Sequence, residues 1–222
     1  IYIILFLRFS DAKVIYFLQS PLPQHQIRNK KAKNNLFFAP IPPSSQLSMM
    51  GAEIVLNLSA ESVLAGKDDY LRNQISSQSA RCIGGYVYAG AGFGESSTDI
   101  VFNAQALIYE NGKMLAENLP FCTESQLVFS EIDIEHIRSE RRKNNIFSES
   151  ARETQTNECV FINTDMMVSH SFALSRLYSP HPFIPDNKEA LDKRAEEVYN
   201  IQTIGLAERL KHTNCKSVVI GI

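Results

Sequence analysis

The pair Asn111-Gly112, set between two alternating apolar runs in DIVFNAQALIYENGKMLAEN, restricts the fold more than any other feature of the chain. Both residues tolerate the positive φ of a type I′ turn, whose twist suits two antiparallel strands. A hairpin is predicted there. Ahead of it, GAEIVLNLS reads as a buried strand over 53–58. KDDYLRNQISSQSARC reads as a helix with acids in its first turn and Tyr70, Leu71, Ile75 and Ala80 near helical spacing. GGYVYAGAGFGESSTD reads as a strand running into a Gly-rich loop. Strand, helix, strand and hairpin in that order predict a layered α/β sandwich.

Around this block the signals are more varied. LFFAPIPPSS is a Pro-rich loop, with Ser44 and Ser45 placed to cap a short helix over 46–50. QLVFSEIDI predicts a further strand and EHIRSERRKNN a charged helix. Residues 148–187, with the three prolines of SPHPFIP, read as an interdomain connection. Asp186 and Glu189 predict a capping box opening a helix over 188–212. Its apolar face would comprise Ala190, Leu191, Ala195, Val198, Ile201, Ile204 and Leu210. CKSVVIGI then reads as a buried strand climbing into a loop.

Composition excludes little. The 222 residues carry a formal net charge of −2 and are 44% hydrophobic, ordinary values for a globular protein. No basic excess points to nucleic acid. The four cysteines, Cys82, Cys122, Cys159 and Cys215, form no CxxC and suit reduced thiols. The five histidines are scattered, and no metal site is predicted. YAGAGFGES contains G-x-G-x-G, but Glu95 would repel a phosphate, so a tight turn is the better reading. Cys82 sits late in a helix, where the dipole disfavours a thiolate, and reads as a buried structural thiol, and Lys67 by itself reads as a solvated lysine.

Residues 1–35 differ from the rest. Residues 1–48 hold six Lys/Arg against one acid, Asp11, so about +5 lies there and about −7 in the remainder. The apolar run 1–7 is too short to span a bilayer, and no basic region precedes it as in a signal peptide. This segment is expected to be disordered or misread, with a frameshift, intron or assembly join near 34–36.

Three long stretches resemble the glutaminase domain of glutamine-dependent NAD⁺ synthetases: PIPPSSQLSMMGAEIVLNLSA, GKDDYLRNQISSQSARCIGGYVYAGAGFGESSTDIVFNAQALIYENGKMLAEN and SEIDIEHIRSERRKN. The tail from SPHPFIPDNKEAL to CKSVVIGI resembles the join to the synthetase domain. The resemblance implies an incomplete nitrilase-like αββα glutaminase domain over 36–147 and a connector over 148–187. The first helix and strand of an α/β ATP-pyrophosphatase-type domain would occupy 188–222. In such an enzyme glutamine is hydrolysed, and its ammonia amidates deamido-NAD⁺ at the expense of ATP, with Mg²⁺. The ammonia passes between sites because free ammonia in water is mostly ammonium.

Site residues carry over unevenly. The family's nucleophilic Cys falls on Asn34 and the following Glu on Asn35, while its Glu base and Lys have no recognisable counterparts. An amide cannot act as a thiolate, so the resemblance implies a chain without its catalytic triad. Lys67 matches the residue pairing with the glutamine α-carboxylate, and Phe38 an aromatic wall. Glu61 stands where a Ser usually meets the ligand, and Phe93 where a Glu is usual. Gly221 and Ile222 would lead into the S-G-G-x-D-S loop that surrounds ATP phosphates, so the chain is expected to stop just short of it. A cytoplasmic homo-oligomer is implied, with no nucleic acid or membrane partner. Two other readings stay open: a non-catalytic nitrilase-like assembly module, and another carbon–nitrogen hydrolase.

Overall fold

The computed structural model describes residues 40–95, 100–153, 176–185 and 187–219, and the backbone of 14–18. They belong to two compact units, Ile1–Ser175 and Arg176–Ile222. The first unit is built on a five-stranded sheet in the order β1-β2-β3-β4-β5. Its strands are β1 (Val14–Leu18), β2 (Ile54–Ser59), β3 (Gly85–Gly90), β4 (Ala106–Glu110) and β5 (Lys113–Glu117). β1, β2 and β3 run parallel, whereas β3, β4 and β5 are antiparallel. The helices of this unit are α1 (Pro43–Met49), α2 (Asp68–Arg81), α3 (Ile134–Lys143) and α4 (Asn145–Glu153).

The alternation of side chains across the sheet sorts two cores. On one face Val55, Tyr86, Tyr88, Leu107 and Tyr109 meet Ile75 of α2, with Leu71 beside them. On the other, Ile54, Val87, Ala106 and Ile108 meet Val128, Ile134 and Ile137. Strands covered on both sides must be apolar at successive positions, which is why IVLNLS and GYVYAG read as near-continuous runs. Gly85 suits this packing: a Cβ there would come within 2.8 Å of the Ile132 Cδ1 and 3.2 Å of the Ile54 side chain, so Ile132 would have to shift. The described residues hold one sheet; a second, as in an αββα sandwich, is not among them.

The hairpin forms as its turn chemistry requires. Asn111 has φ 45° and Gly112 φ 84°, the paired positive values of a type I′ turn. The turn is fastened to α2: Ser76 donates to the Gly112 carbonyl at 2.7 Å, and the Gly112 N–H donates to Ser79 Oγ at 3.3 Å. A Cβ on Gly112 would sit 3.0 Å from that of Ala80. Gly112→Val should therefore cost about 1–3 kcal/mol, through strained backbone and displaced helix together. The urea midpoint measures this, and a midpoint equal to the parent's would show that the turn carries no such constraint.

Several elements depart from the sequence expectations. Ser44 and Ser45 do not cap α1, which starts at Pro43 behind Pro42 and has no side-chain cap. Their hydroxyls instead accept from Gln78 Nε2 at 3.0 and 2.8 Å, tying α1 to α2. In α2 the inward positions are Ile75, Gln78 and Ser79, while Tyr70 and Ala80 are exposed; hydrogen bonding lets polar side chains take the apolar places. QLVFSEIDI is not a strand. Its Val128 is buried without ladder bonds around it, while the Gln126 amide meets both backbone groups of Leu119, at 3.1 and 2.7 Å. α4 extends to Glu153, into the stretch read as irregular, with the Asn144 side chain accepting from Phe147 N at 2.9 Å to start it. β1 lies within the segment for which no order was expected, in register with β2 from Val14↔Ile54 to Leu18↔Leu58.

Arg141 of α3 closes the first unit. Its guanidinium donates to the carbonyls of Ile83, Ala52 and Cys82 at 2.9, 2.7 and 2.8 Å, with the Phe147 ring 4.8 Å away. Burial draws its pKa below the usual arginine value, partly offset by the fields of Cys82 and Glu53. Arg138 pairs with the nearly buried Glu53 at 2.6 and 3.2 Å. That contact, more than any other, raises the pKa of Arg138.

The second unit is dominated by α5 (Lys188–Thr213). Its N-cap is Asn187, accepting from Ala190 N at 2.7 Å, so the expected role of Asp186 passes to its neighbour; Asp186 lies outside the described residues. Asn187 is the residue whose oxygen reaches the third N–H of the helix. Asn214, with φ 53°, ends it in the left-handed conformation. None of its apolar side chains is buried, with Ile201 and Ile204 both about two-thirds exposed. Residues 215–219 form no strand, since a ladder needs a neighbouring strand and the described part of this unit supplies none. Among the described residues no helix is long and apolar enough to cross a membrane.

Candidate functional site

A cavity of about 360 Å³ opens between the 61–67 loop, the start of α2, and the segments 103–105 and 120–121. β2 delivers the chain to the loop, and Val63 N donates to the Val101 carbonyl at 2.9 Å to hold it. Gly66, with φ 79°, turns the backbone so that Lys67 precedes the first residue of α2. The positive end of the helix dipole and the Lys67 ammonium favour an anion there, against the opposing charges of Asp68 and Asp69.

The rear wall is polar and already bonded. Gln105, only 1% exposed, donates to Asp68 Oδ1 at 2.7 Å and accepts from Asn103 Nδ2 at 3.3 Å. Asp68 also receives Arg72 at 2.7 Å, and Arg72 reaches Glu117 of β5 at 2.6 Å. Burial works against the charge on Asp68, but the hydrogen bonds from Arg72 and Gln105 hold its carboxyl below the usual range. Tyr88 is hydrogen-bonded with Ser59, and burial pushes its phenol up to about 12, so it stays protonated at neutral pH. Leu64, Leu71, Pro120 and Phe121 supply apolar surface.

Glu61 and Lys67 stand apart from this network. Both line the cavity, and neither side chain makes a hydrogen bond or salt bridge among the described residues, although the Lys67 N–H donates to the Leu64 carbonyl at 3.1 Å. Burial raises the pKa of the Glu61 carboxyl, and the longer-range field of Lys67 partly offsets it. Beside the bonded Asp68 carboxylate, the cavity thus presents the Glu61 carboxyl and the Lys67 ammonium, which act on each other through the field.

Two of the residues singled out in the sequence are therefore brought together, Glu61 and Lys67. Asn34, Phe38, Gly221 and Ile222 lie outside the described residues. Phe93 is 66% exposed in the turn beyond β3 and does not line the cavity. In that turn Glu95 accepts from Gly92 N at 3.0 Å, occupying an N–H that a phosphate loop would offer, as the tight-turn reading requires. Cys82 is buried, contacts Gln78 at 3.2 Å, and has its thiol pKa raised by burial: an inert structural cysteine. The residues missed were Asp68, Tyr88, Asn103 and Gln105. The signal for the last two was a pair of amides interrupting the apolar alternation of VFNAQALIY.

No family model matches the sequence. Over 188 residues the chain is 35% identical to glutamine-dependent NAD(+) synthetases of Mycobacterium bovis and Mycobacterium tuberculosis, and 34% identical to that of Mycobacterium leprae. The matched region is 83% of this chain, and the chain spans about 28% of the length of these relatives. Among solved structures, a glutamine-dependent NAD(+) synthetase from Cytophaga hutchinsonii aligns with TM-score 0.34 and 27% identity. That alignment covers 35% of this chain and 13% of the other. A carbon-nitrogen hydrolase from Helicobacter pylori aligns with TM-score 0.38 and 16% identity, covering 46% and 40% of the two chains.

Proposed function

We propose that this chain is a piece of a glutamine-dependent NAD⁺ synthetase, comprising part of its nitrilase-like glutaminase domain and the start of its synthetase domain. The observation that carries this reading is the 35% identity sustained over 188 residues with relatives of that name. In the complete enzyme this segment would bind glutamine, and ammonia released from it would amidate deamido-NAD⁺ in a cytoplasmic homo-oligomer.

Within the segment, Lys67 would face the glutamine α-carboxylate, where the start of α2 adds its dipole. Gln105 and Asp68 fix the wall against which the ligand lies. Leu64 and Phe121 would exclude water from one side. Phe38 is proposed as a further wall. The nucleophile is proposed to be missing from position 34, where Asn replaces Cys. ATP would supply the energy for amidation in the whole enzyme, with Mg²⁺. The residues proposed to lead into its loop, Gly221 and Ile222, lie outside the described residues. Among the described residues no group of three or more His, Cys, Asp or Glu is arranged to hold a cation.

Sequencing the coding DNA and transcript through both flanks tests the reading. The expected result is a strand ending in Cys-Glu-Asp ahead of residue 36 and S-G-G-x-D-S after Ile222. A verified transcript with an uninterrupted 1–40 and a stop codon after Ile222 would favour the non-catalytic module instead. The purified 222-residue chain should release no ammonia from glutamine above background. Measurable turnover would show that the nucleophile is not at position 34.

A further inference from the structure

We propose that Asn111 is a site of spontaneous deamidation, and that its rate is set by how often the hairpin turn lifts away from α2. The inference rests on the turn alone and is independent of the glutaminase reading. Asn111-Gly112 is the only Asn-Gly pair in the chain, and Asn111 is exposed to water. Glycine has no Cβ to hinder its nitrogen. On losing its proton, the Gly112 N can attack the Asn111 Cγ. A ring C–N bond forms, the bond from Cγ to the side-chain nitrogen breaks, and that nitrogen leaves as ammonia with the proton. Water then adds to one carbonyl of the cyclic imide. Opening at Cγ gives aspartate, and opening at the main-chain carbonyl gives isoaspartate. No electrons are exchanged, and water is the sole co-reactant.

The fold holds this reaction back. The Gly112 N–H, which must give up its proton, donates to Ser79 Oγ at 3.3 Å. Ser79 is fully buried and itself donates to the Gly84 carbonyl at 2.7 Å, so its oxygen is fixed. The main chain is also anchored on either side of the Asn111–Gly112 peptide. Asn111 N donates to the Gly84 carbonyl at 3.1 Å, and the Gly112 carbonyl accepts from Ser76 Oγ at 2.7 Å. A type I′ turn sets ψ of its first central residue at about +30°, whereas the ring closes with that ψ strongly negative. Closure therefore needs the peptide to rotate, and rotation breaks its hold on α2. The two products differ in consequence. Aspartate suits the same turn. Isoaspartate lengthens the main chain by a carbon and would displace the Glu110–Lys113 pair that closes the hairpin. A turn that has opened and reacted in this way is left easier to open again.

The test incubates the purified 222-residue chain, folded and unfolded in urea, and follows Asn111 by peptide mapping with isoaspartate detection. The unfolded chain should convert Asn111 to aspartate and isoaspartate. The folded chain should do so at least about tenfold more slowly, since only opened molecules react. Ser76→Ala removes one anchor at a half-buried position and should speed the folded-state reaction by about 2- to 10-fold, the scale of one hydrogen bond. Its rate in urea should equal the parent's. In urea too dilute to unfold the parent, the rate should stay nearly flat, because lifting a turn exposes little surface. An unfolded chain whose Asn111 stays intact overturns the site. Equal rates in folded and unfolded chains overturn the protection by the fold. A folded-state rate unchanged by Ser76→Ala overturns control by the α2 contacts. A rate that climbs with dilute urea as steeply as global unfolding overturns the turn as the opening unit.

Discussion

Arg141→Met should lower the stability of the first unit by about 3–5 kcal/mol, the scale at which a buried charged hydrogen-bonding group is lost. Three carbonyls converge on this one guanidinium: Ala52 ahead of β2, and Cys82 and Ile83 where α2 ends. The last two lie at the negative end of the α2 dipole, so a cation is the natural partner. Met retains much of the stem's packing but leaves the three acceptors unmet. Arg141→Lys should recover less than half of the loss, because a single ammonium cannot reproduce two guanidinium nitrogens in fixed geometry. Chemical unfolding of the three proteins gives the comparison. A Lys variant as stable as the parent would mean that charge alone matters and the fork geometry does not.

If the proposed glutaminase reading holds, Lys67→Met should reduce kcat/KM for glutamine by about 2–4 kcal/mol in a complete enzyme carrying this segment and an intact nucleophile. The methionine keeps much of the stem but would leave the carboxylate of the proposed substrate without a cation at a position that lines the cavity. NAD⁺ formation from externally supplied ammonia should be nearly unchanged, since that route does not use the cavity. Equal losses with both nitrogen sources would assign Lys67 to folding or to coupling between domains. The two nitrogen sources thus separate a binding role from a structural one.

What could be read in the sequence was what short-range chemistry decides. The hairpin was legible because Asn111 and Gly112 are each suited to positive φ, and the observed angles bear this out. β2, α2 and β3 were legible because apolar runs and first-turn acids act within one element. The strand read into QLVFSEIDI was an error of a different kind. Val128 and Ile134 are apolar because they plug the core, and no ladder forms because Gln126 pairs with Leu119 and Asp133 N donates to Glu110 at 2.7 Å. Periodicity cannot separate those two causes of apolarity.

The cavity was half legible. Glu61 and Lys67 came from family likeness, not from any local pattern. Gln105 and Asp68 could not be foreseen as partners, being 37 positions apart in the chain and joined only once the hairpin lies against α2. The Ser44 and Ser45 hydroxyls looked like caps because helix signals are local, but Gln78, 34 and 33 positions away, claims them. Residues that serve contacts at such separations carry no mark of it in a single sequence.

β5 has a consequence for crowded solutions. An outermost strand leaves a row of backbone groups unmatched on one flank, an invitation for another chain to add on and polymerise. Here Lys113 and Glu117 place charges at the two ends of the strand, and its pairing with β4 slips between Ile108 and Tyr109. A newcomer would have to desolvate those charges and match an irregular contour. Among the described residues, where β5 is an outermost strand, these charges and the slipped register oppose self-templated growth along this flank.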